Sequence, residues 1–412
     1  RLILPKEFHQ LTDGLTFRFD DNFVSATFSN SNYIGSYAVL FIPIALMLAV
    51  CTKKIGLKIG SACLGLLMVV TLFGSRSRAG LVALIAIVVM VVILLLRVLT
   101  KRKLLAVLVI CGTILAFFGV NAVLSGLLVN RIVAEFTEGT NFYDLQDIDI
   151  DGNSVKIAGA SESLRIEEDN GYLYFYDTDG SKLEPIMQQN GEKTTIKFAA
   201  ESYKGYTLEL QGDVLSVYQN NITFRLRIKE DGIKFMGLNG QEFDHIDKAE
   251  AWGFKGRERL GSARGYIWSR TLPLLRDKLI VGSGPDTFAM EFPQNDYIGK
   301  IRAYGMPHML VDKPHNMYLQ MAFNTGILSL IAFLVLVGYY VVQFLLYFKN
   351  TPVTFTDFMG IGIFLSIVGY LVAGIFNDSV VAIAPIFWVF LGLGFAMNML
   401  NKSQHSSKRS GK

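Results

Sequence analysis

The chain is poor in cysteine: Cys51, Cys63 and Cys111 are the only three in 412 residues. All lie in or at the ends of apolar runs. The long polar middle has none, which excludes a disulfide framework or a Cys-based zinc site there. No GxGxxG, P-loop or HExxH run occurs, so the sequence signals for dinucleotide, nucleoside-triphosphate and zincin chemistry are missing. Charge is nearly absent from the apolar runs, against the intramembrane charges and broken-helix pairs expected of a transporter. A large excess of basic over acidic residues is also missing, with 39 Lys and Arg against 35 Asp and Glu and a net charge of only +4. That charge reports membrane topology and implies no nucleic-acid partner. The chain starts at Arg1 without an initiator Met or a signal peptide, and the expectation is that a further membrane segment precedes it.

What is abundant is apolar sequence. Mean hydropathy is +0.38 and 51% of residues are hydrophobic. The apolar residues collect in seven runs, about 34–52, 56–74, 79–97, 104–128, 317–347, 357–376 and 380–400, each long enough to cross a bilayer core of ~30 Å. The run 317–347 exceeds that need, so one long, tilted or projecting helix is expected. Lys53, Lys54, Lys58, Arg97, Lys101, Arg102, Lys103 and Lys349 fall in alternate connections, and Lys402, Lys408, Arg409 and Lys412 in the tail. By the positive-inside rule these face the cytoplasm.

The expected architecture is an α-helical integral membrane protein with an inserted extracytoplasmic β-rich domain. Residues 1–33 form an external lead-in, 34–128 four spans, and 129–256 the β-rich insert. Residues 257–316 form an external loop with an amphipathic helix, 317–400 three spans, and 401–412 a disordered cytoplasmic tail. The insert reads as short strands such as Tyr172–Tyr176 and Phe224–Ile228. Asp179-Gly180, Asn190-Gly191 and Asp231-Gly232 punctuate them as turns, which predicts a small antiparallel sandwich or partial barrel. Asp147-Ile-Asp-Ile-Asp-Gly152 resembles the start of an EF-hand loop. Its twelfth position is Ala158, where a bidentate Glu is needed, so it reads as strand and turn.

Between 257 and 279, Trp268, Thr271, Leu272 and Leu275 share a helical face, and Arg257, Arg259, Arg264, Arg270 and Arg276 add positive charge. This suits a helix on the membrane surface and equally a soluble helix packed on the β-domain. A tight loop, Gly282-Ser-Gly284-Pro285-Asp, leads to Phe288.

Three places could carry chemistry. Ser75-Arg76-Ser77-Arg78-Ala79-Gly80 puts two arginines in a short outward turn, against the topological bias; their planar forks suit phosphate oxygens, with snorkelling to headgroups as the alternative. Arg264, a turn before Trp268, could share a diphosphate with them or be an exposed basic residue. His315, in Pro314-His315-Asn316, sits where polar sequence meets an apolar run and can exchange protons near neutral pH, or merely cap a helix; His308 is a second, weaker possibility. On one continuous helix, eleven steps of 100° return to within about 20°. His315, Ala322 and Gly326 would then share a face, the last two at small-xxx-small spacing for a tight helix seam.

Together these pieces resemble the O-antigen ligase and polymerase superfamily: His315-Asn316, nine residues and Gly326; Ser75–Gly80; Arg264-x-x-x-Trp268; Gly282-x-Gly284-Pro285-x-x-Phe288; and Phe28-Ser-Asn-Ser-Asn-Tyr33 before the first span. The resemblance covers about 25–135 and 257–400. It implies an inverting, metal-independent glycosyltransferase at the outer face of the bacterial cytoplasmic membrane. Such an enzyme moves glycan from an undecaprenyl-diphosphate carrier to a hydroxyl of a glycan, lipid or protein acceptor, with no cofactor. It further implies His315 as base or acceptor-positioning residue, and Arg76, Arg78 and Arg264 as diphosphate ligands. The β-rich insert and the low number of spans depart from the family pattern. Ligase and polymerase stay open, as does a membrane sensor or scaffold with a ligand-binding β-domain.

Overall fold

A computed structural model describes residues 30–98, 145–159, 161–220, 222–237, 240–348 and 354–410, with short pieces between 19 and 28 and between 112 and 130. It divides into two compact units: Arg1–Gly126 with His315–Lys412, and Leu127–Pro314.

The first unit is helical. Its elements are a short pair of strands, β1 (Phe19–Asp20) and β2 (Phe23–Val24), then α1 (Ser31–Cys51), α2 (Ile55–Ser75) and α3 (Arg78–Val98). After the second unit it resumes with α7 (Met317–Thr325), α8 (Ile327–Tyr347), α9 (Phe355–Ala373) and α10 (Ala384–Ser410). Among the described residues six helices are long and apolar enough to cross a membrane: α1, α2, α3, α8, α9 and the apolar part of α10. The chain is thus a multi-pass helical membrane protein. The expected fourth span, about 104–128, and most of the lead-in 1–33 lie outside the described residues.

The core of this unit is built on α1 and α9, whose apolar windows are about half buried, against about a fifth for α2, α8 and α10. Ala38, Val39 and Leu40 of α1 join Phe364, Ile367 and Tyr370 of α9 and Phe387 of α10 in one cluster. Helices apolar all round need such internal contacts because lipid gives no hydrophobic drive for association. The closest approach is between α1 and α3: a Cβ on Gly80 would lie 2.9 Å from the Gly35 Cα, and one on Gly35 only 2.2 Å from Ser77 Oγ.

Two expectations fail here. Residues 317–347 are not one helix. Gly326 takes φ 98°, ψ 156°, a conformation open to glycine and costly for other residues, and it ends α7 before α8 begins. The tail, expected to be disordered, continues α10 as helix to Ser410; no Gly or Pro occurs between residues 401 and 410.

The second unit is the β-rich insert. Strands β3 (Asp147–Asp151), β4 (Ser154–Ala158), β5 (Ser163–Asp169) and β6 (Tyr172–Tyr176) form a four-stranded meander. Strands β7 (Pro185–Asn190), β8 (Lys193–Phe198), β9 (Tyr206–Gln211), β10 (Val214–Gln219), β11 (Ile222–Lys229), β12 (Gly232–Met236) and β13 (Glu242–Phe243) form a seven-stranded one, antiparallel throughout. Alternation decides which side chains go inward: Ile148, Val155, Ile166 and Phe175 of the smaller sheet and Leu208, Val217, Phe224 and Phe235 of the larger enter one core. The acidic run at 147–152 is the first strand and its turn, as read from sequence.

Three helices follow within this unit: α4 (Leu260–Leu274), α5 (Phe288–Glu291) and α6 (Tyr297–Tyr304). Tyr297, Ile298 and Ile301 of α6 belong to the β core, so 257–314 is not a separate loop. The Trp268 helix is packed within this unit. α4 buries Tyr266, Ile267, Arg270 and Thr271. Arg270 is tied up in a buried ion pair with Asp296 at 2.9 Å, and Arg276 bonds Glu250 at 2.8 Å.

Candidate functional site

In the helical unit, Arg76 and Ser77 form a two-residue corner between α2 and α3. Arg76 ends α2 in the left-handed conformation, φ 52° and ψ 25°. Ser77 caps α3: its Oγ accepts from Gly80 N at 3.1 Å and its carbonyl from Leu81 N at 3.0 Å, the work of an N-cap serine. The two serines are fully buried, whereas Arg76 and Arg78 are exposed. The serines turn inward and the arginines outward beside the N-terminus of α3, the positive end of its dipole.

His315 also lies in the left-handed region, φ 49°, and outside any helix. The reason is Asn316, whose side chain caps α7 by accepting from Tyr318 N at 2.9 Å and Leu319 N at 3.0 Å. The helix therefore starts at Met317, and the shared face of His315, Ala322 and Gly326 does not exist. Ala322 and Gly326 are instead related through the end of α7, where Gly326 N donates to the Ala322 carbonyl at 3.0 Å. The tight seam falls at Gly35 and Gly80.

Turned away from the helix, His315 places Nδ1 2.8 Å from Oδ2 of Asp378. The imidazole is one-third exposed and the carboxylate fully buried. An ionised carboxylate only accepts, so opposite such a group Nδ1 is the donor of this bond and Nε2 is the ring nitrogen turned away from Asp378. Asp378 is not among the residues that the sequence singles out; the polar triplet Asn377-Asp378-Ser379 between two apolar runs is the available signal. Each of the three holds a different partner. Asn377 Nδ2 donates to Ser36 Oγ at 2.8 Å and to the Asn32 carbonyl at 3.1 Å, both on α1. Ser379 N donates to Gln320 Oε1 of α7 at 2.7 Å.

In the β-rich unit, Arg264 follows three successive left-handed residues, Gly261, Ser262 and Ala263. Its guanidinium donates back to the Gly261 carbonyl at 2.6 Å, which folds the side chain over that turn. Trp268 Nε1 donates to the Pro314 carbonyl at 2.9 Å, so the indole fixes the residue before His315 instead of lying free. The Gly284 loop has φ 92° at the glycine and leads to buried Phe288. Burial, then the charges of Arg225 and Lys300, hold His308 below the usual imidazole range. Lys300 is wholly buried. Desolvation pulls its ammonium down to about 8, partly offset by Asp296, and it donates to the Gln294 carbonyl at 2.7 Å. Tyr304 is pushed up to about 12 by burial, with Arg264 drawing it down.

Six membrane-length helices among the described residues, with an inserted antiparallel β-domain, define a polytopic membrane protein, and its helical part holds a His–Asp pair. Residues 232–334 match the family model described as O-antigen ligase; this supports the O-antigen ligase superfamily. The matched stretch runs from β12 into α8 and contains Arg264, His315, Ala322 and Gly326, while Arg76 and Arg78 lie outside it. No curated protein and no solved structure matches the chain.

Proposed function

We propose that this protein is an inverting glycosyltransferase of the O-antigen ligase type. It works at the outer face of the bacterial cytoplasmic membrane, with the β-rich insert extracytoplasmic. Its donor is a glycan on undecaprenyl diphosphate and its acceptor a hydroxyl of a glycan, lipid or protein. What supports this most is the bond between His315, inside the matched family segment, and the buried carboxylate of Asp378. Fixing Nδ1 as donor leaves Nε2 to take a proton from an incoming hydroxyl.

In the reaction the acceptor oxygen attacks the anomeric carbon and its proton passes to His315 Nε2. The bond from that carbon to the diphosphate oxygen breaks, and the diphosphate leaves with added negative charge. Arg76 and Arg78 stabilise that charge together with the α3 N-terminus, and Arg264 is a further diphosphate ligand. Guanidinium groups take the part that a divalent cation plays in other glycosyl transfers, so chelators leave turnover unchanged. Inversion follows from a single displacement with base and leaving group on opposite sides of the anomeric carbon.

The test is incubation of the purified chain with a polyprenyl-diphosphate oligosaccharide, with and without a candidate acceptor. A product ladder identifies a polymerase and one-step transfer a ligase. An intact donor under both conditions, with correctly inserted protein, rejects the reading.

A further inference from the structure

The arginine corner lies between α2 and α3, and the His315–Asp378 pair joins the segment before α7 to the one after α9, yet one buried polar cluster links the two places. At its centre is Asn32, in the first turn of α1. On one side Ser77 Oγ, the N-cap of α3, donates to Asn32 Oδ1 at 3.3 Å. On the other, Asn377 Nδ2 donates to the Asn32 carbonyl at 3.1 Å and to Ser36 Oγ at 2.8 Å. Ser36 Oγ in turn donates to the same Asn32 carbonyl at 3.4 Å.

Ser36, Ser77 and Asn377 are each under 5% exposed. Buried amides and hydroxyls cost stability unless satisfied. Apolar residues would pack this helix junction at less risk, so a polar cluster here asks for another reason. The covalent neighbours supply one. Ser77 is flanked by Arg76 and Arg78, and Asn377 is followed by Asp378.

The cluster also has little room to adjust. Gly35 lies against Ser77 so closely that a Cβ there would sit 2.4 Å from the Ser77 Cβ. A shift of the serine corner therefore has to move α1, and with it Asn32 and Ser36. Asn377 must then follow or lose both acceptors.

We infer that Asn32 and Asn377 are positioning residues. Their hydrogen bonds hold the diphosphate-binding corner and the carboxylate behind His315 in one rigid frame, so that leaving group and base keep a fixed separation. This rests on the proposed glycan transfer at His315. Neither asparagine touches substrate; each acts through its neighbour. Transfer chemistry is sensitive to such placement, since a displacement of about 1 Å can cost about a hundredfold in rate.

The test is a double-mutant cycle on the full chain with a polyprenyl-diphosphate oligosaccharide as donor. It compares Ser77→Ala, Asn377→Leu and the double variant, each checked for membrane insertion, monodispersity and melting temperature. A shared frame predicts that either single change both raises the donor KM and lowers kcat, by about tenfold in kcat/KM. The double variant is then no worse than the poorer single, within about threefold, as expected for one network. Ser36→Ala, which removes one acceptor of Asn377 with a smaller change in side-chain volume, substitutes for Asn377→Leu if that variant fails to insert.

The inference is overturned if Ser77→Ala alters only KM and Asn377→Leu only kcat, or if the two losses multiply. A His315→Ala control separates the layers. Full activity in that control defeats the glycan-transfer reading itself, whereas an inactive control with multiplying losses defeats only the frame.

Discussion

His315 Nδ1 and Asp378 Oδ2 lie 2.8 Å apart although 63 residues separate them in the chain. The carboxylate is fully buried and the imidazole is not. A pair of this kind sets which ring nitrogen carries the proton. Asp378→Asn keeps the shape but offers an amide that can donate to Nδ1, which moves the ring proton to Nε2 and removes the base. Turnover should fall by about 10²–10⁴-fold with the donor KM little changed. Steady-state kinetics on the inserted variant checks this; a large rise in KM with normal kcat would assign Asp378 to binding instead.

At the corner between α2 and α3, Arg76 carries both charge and strain. A left-handed backbone costs a non-glycine residue roughly 1 kcal/mol or more. Arg76→Gly should therefore raise the melting temperature while weakening donor binding about tenfold or more, the worth of a charge-assisted bond. Arg76→Lys should keep the strain and recover part of the binding. Melting curves beside donor titrations at two salt concentrations separate the contributions.

Gly80→Ala tests the helix contact that sets this corner. Its methyl would lie 2.9 Å from the Gly35 Cα and 2.5 Å from Leu72 Cδ1. Backbone cannot yield as a flexible side chain can, so α3 must move from α1. The expected cost is about 1–3 kcal/mol, read as a lower melting temperature together with reduced transfer. Ala322→Gly, at the seam expected from sequence, should leave the contact between α1 and α3 intact.

Spans, the β-rich insert and the arginine corner were legible because each rests on a local pattern: apolar length, alternation with turn dipeptides, and paired charge in a short turn. The helix through His315 was misread because periodicity does not show where a helix begins. Asn316 as N-cap and Gly326 at φ 98° set its ends, and both are ordinary in composition. Asp378, Asn377 and Asn32 were illegible for a different reason. Their meaning lies in contacts across the helices, with separations of up to 345 residues, and no spacing rule encodes these. Arg270 shows why its helix carried two readings: its charge suited a membrane surface, while its buried partner Asp296 sits on another element.

The buried Lys300 gives the β-rich unit a pH signature. Its ammonium is lowered from the usual 10.5 to about 8 in the folded chain. Between these values the unfolded chain binds more protons, so this residue makes stability rise as pH increases from about 8 towards 10.5. Below about 8 its contribution is flat. Melting curves over that window, for the natural chain and Lys300→Met, should differ in slope, with the variant lacking the rise. Parallel curves would show that Lys300 is not desolvated as its packing indicates.

One imidazole that receives a proton while guanidinium groups steady a departing diphosphate is the idea most exposed to refutation. The direct measurement is single-turnover glycan transfer from a polyprenyl-diphosphate oligosaccharide by the natural chain and by His315→Ala, both inserted and equally stable. The account predicts at least a hundredfold slower transfer without the imidazole. Equal rates would contradict it.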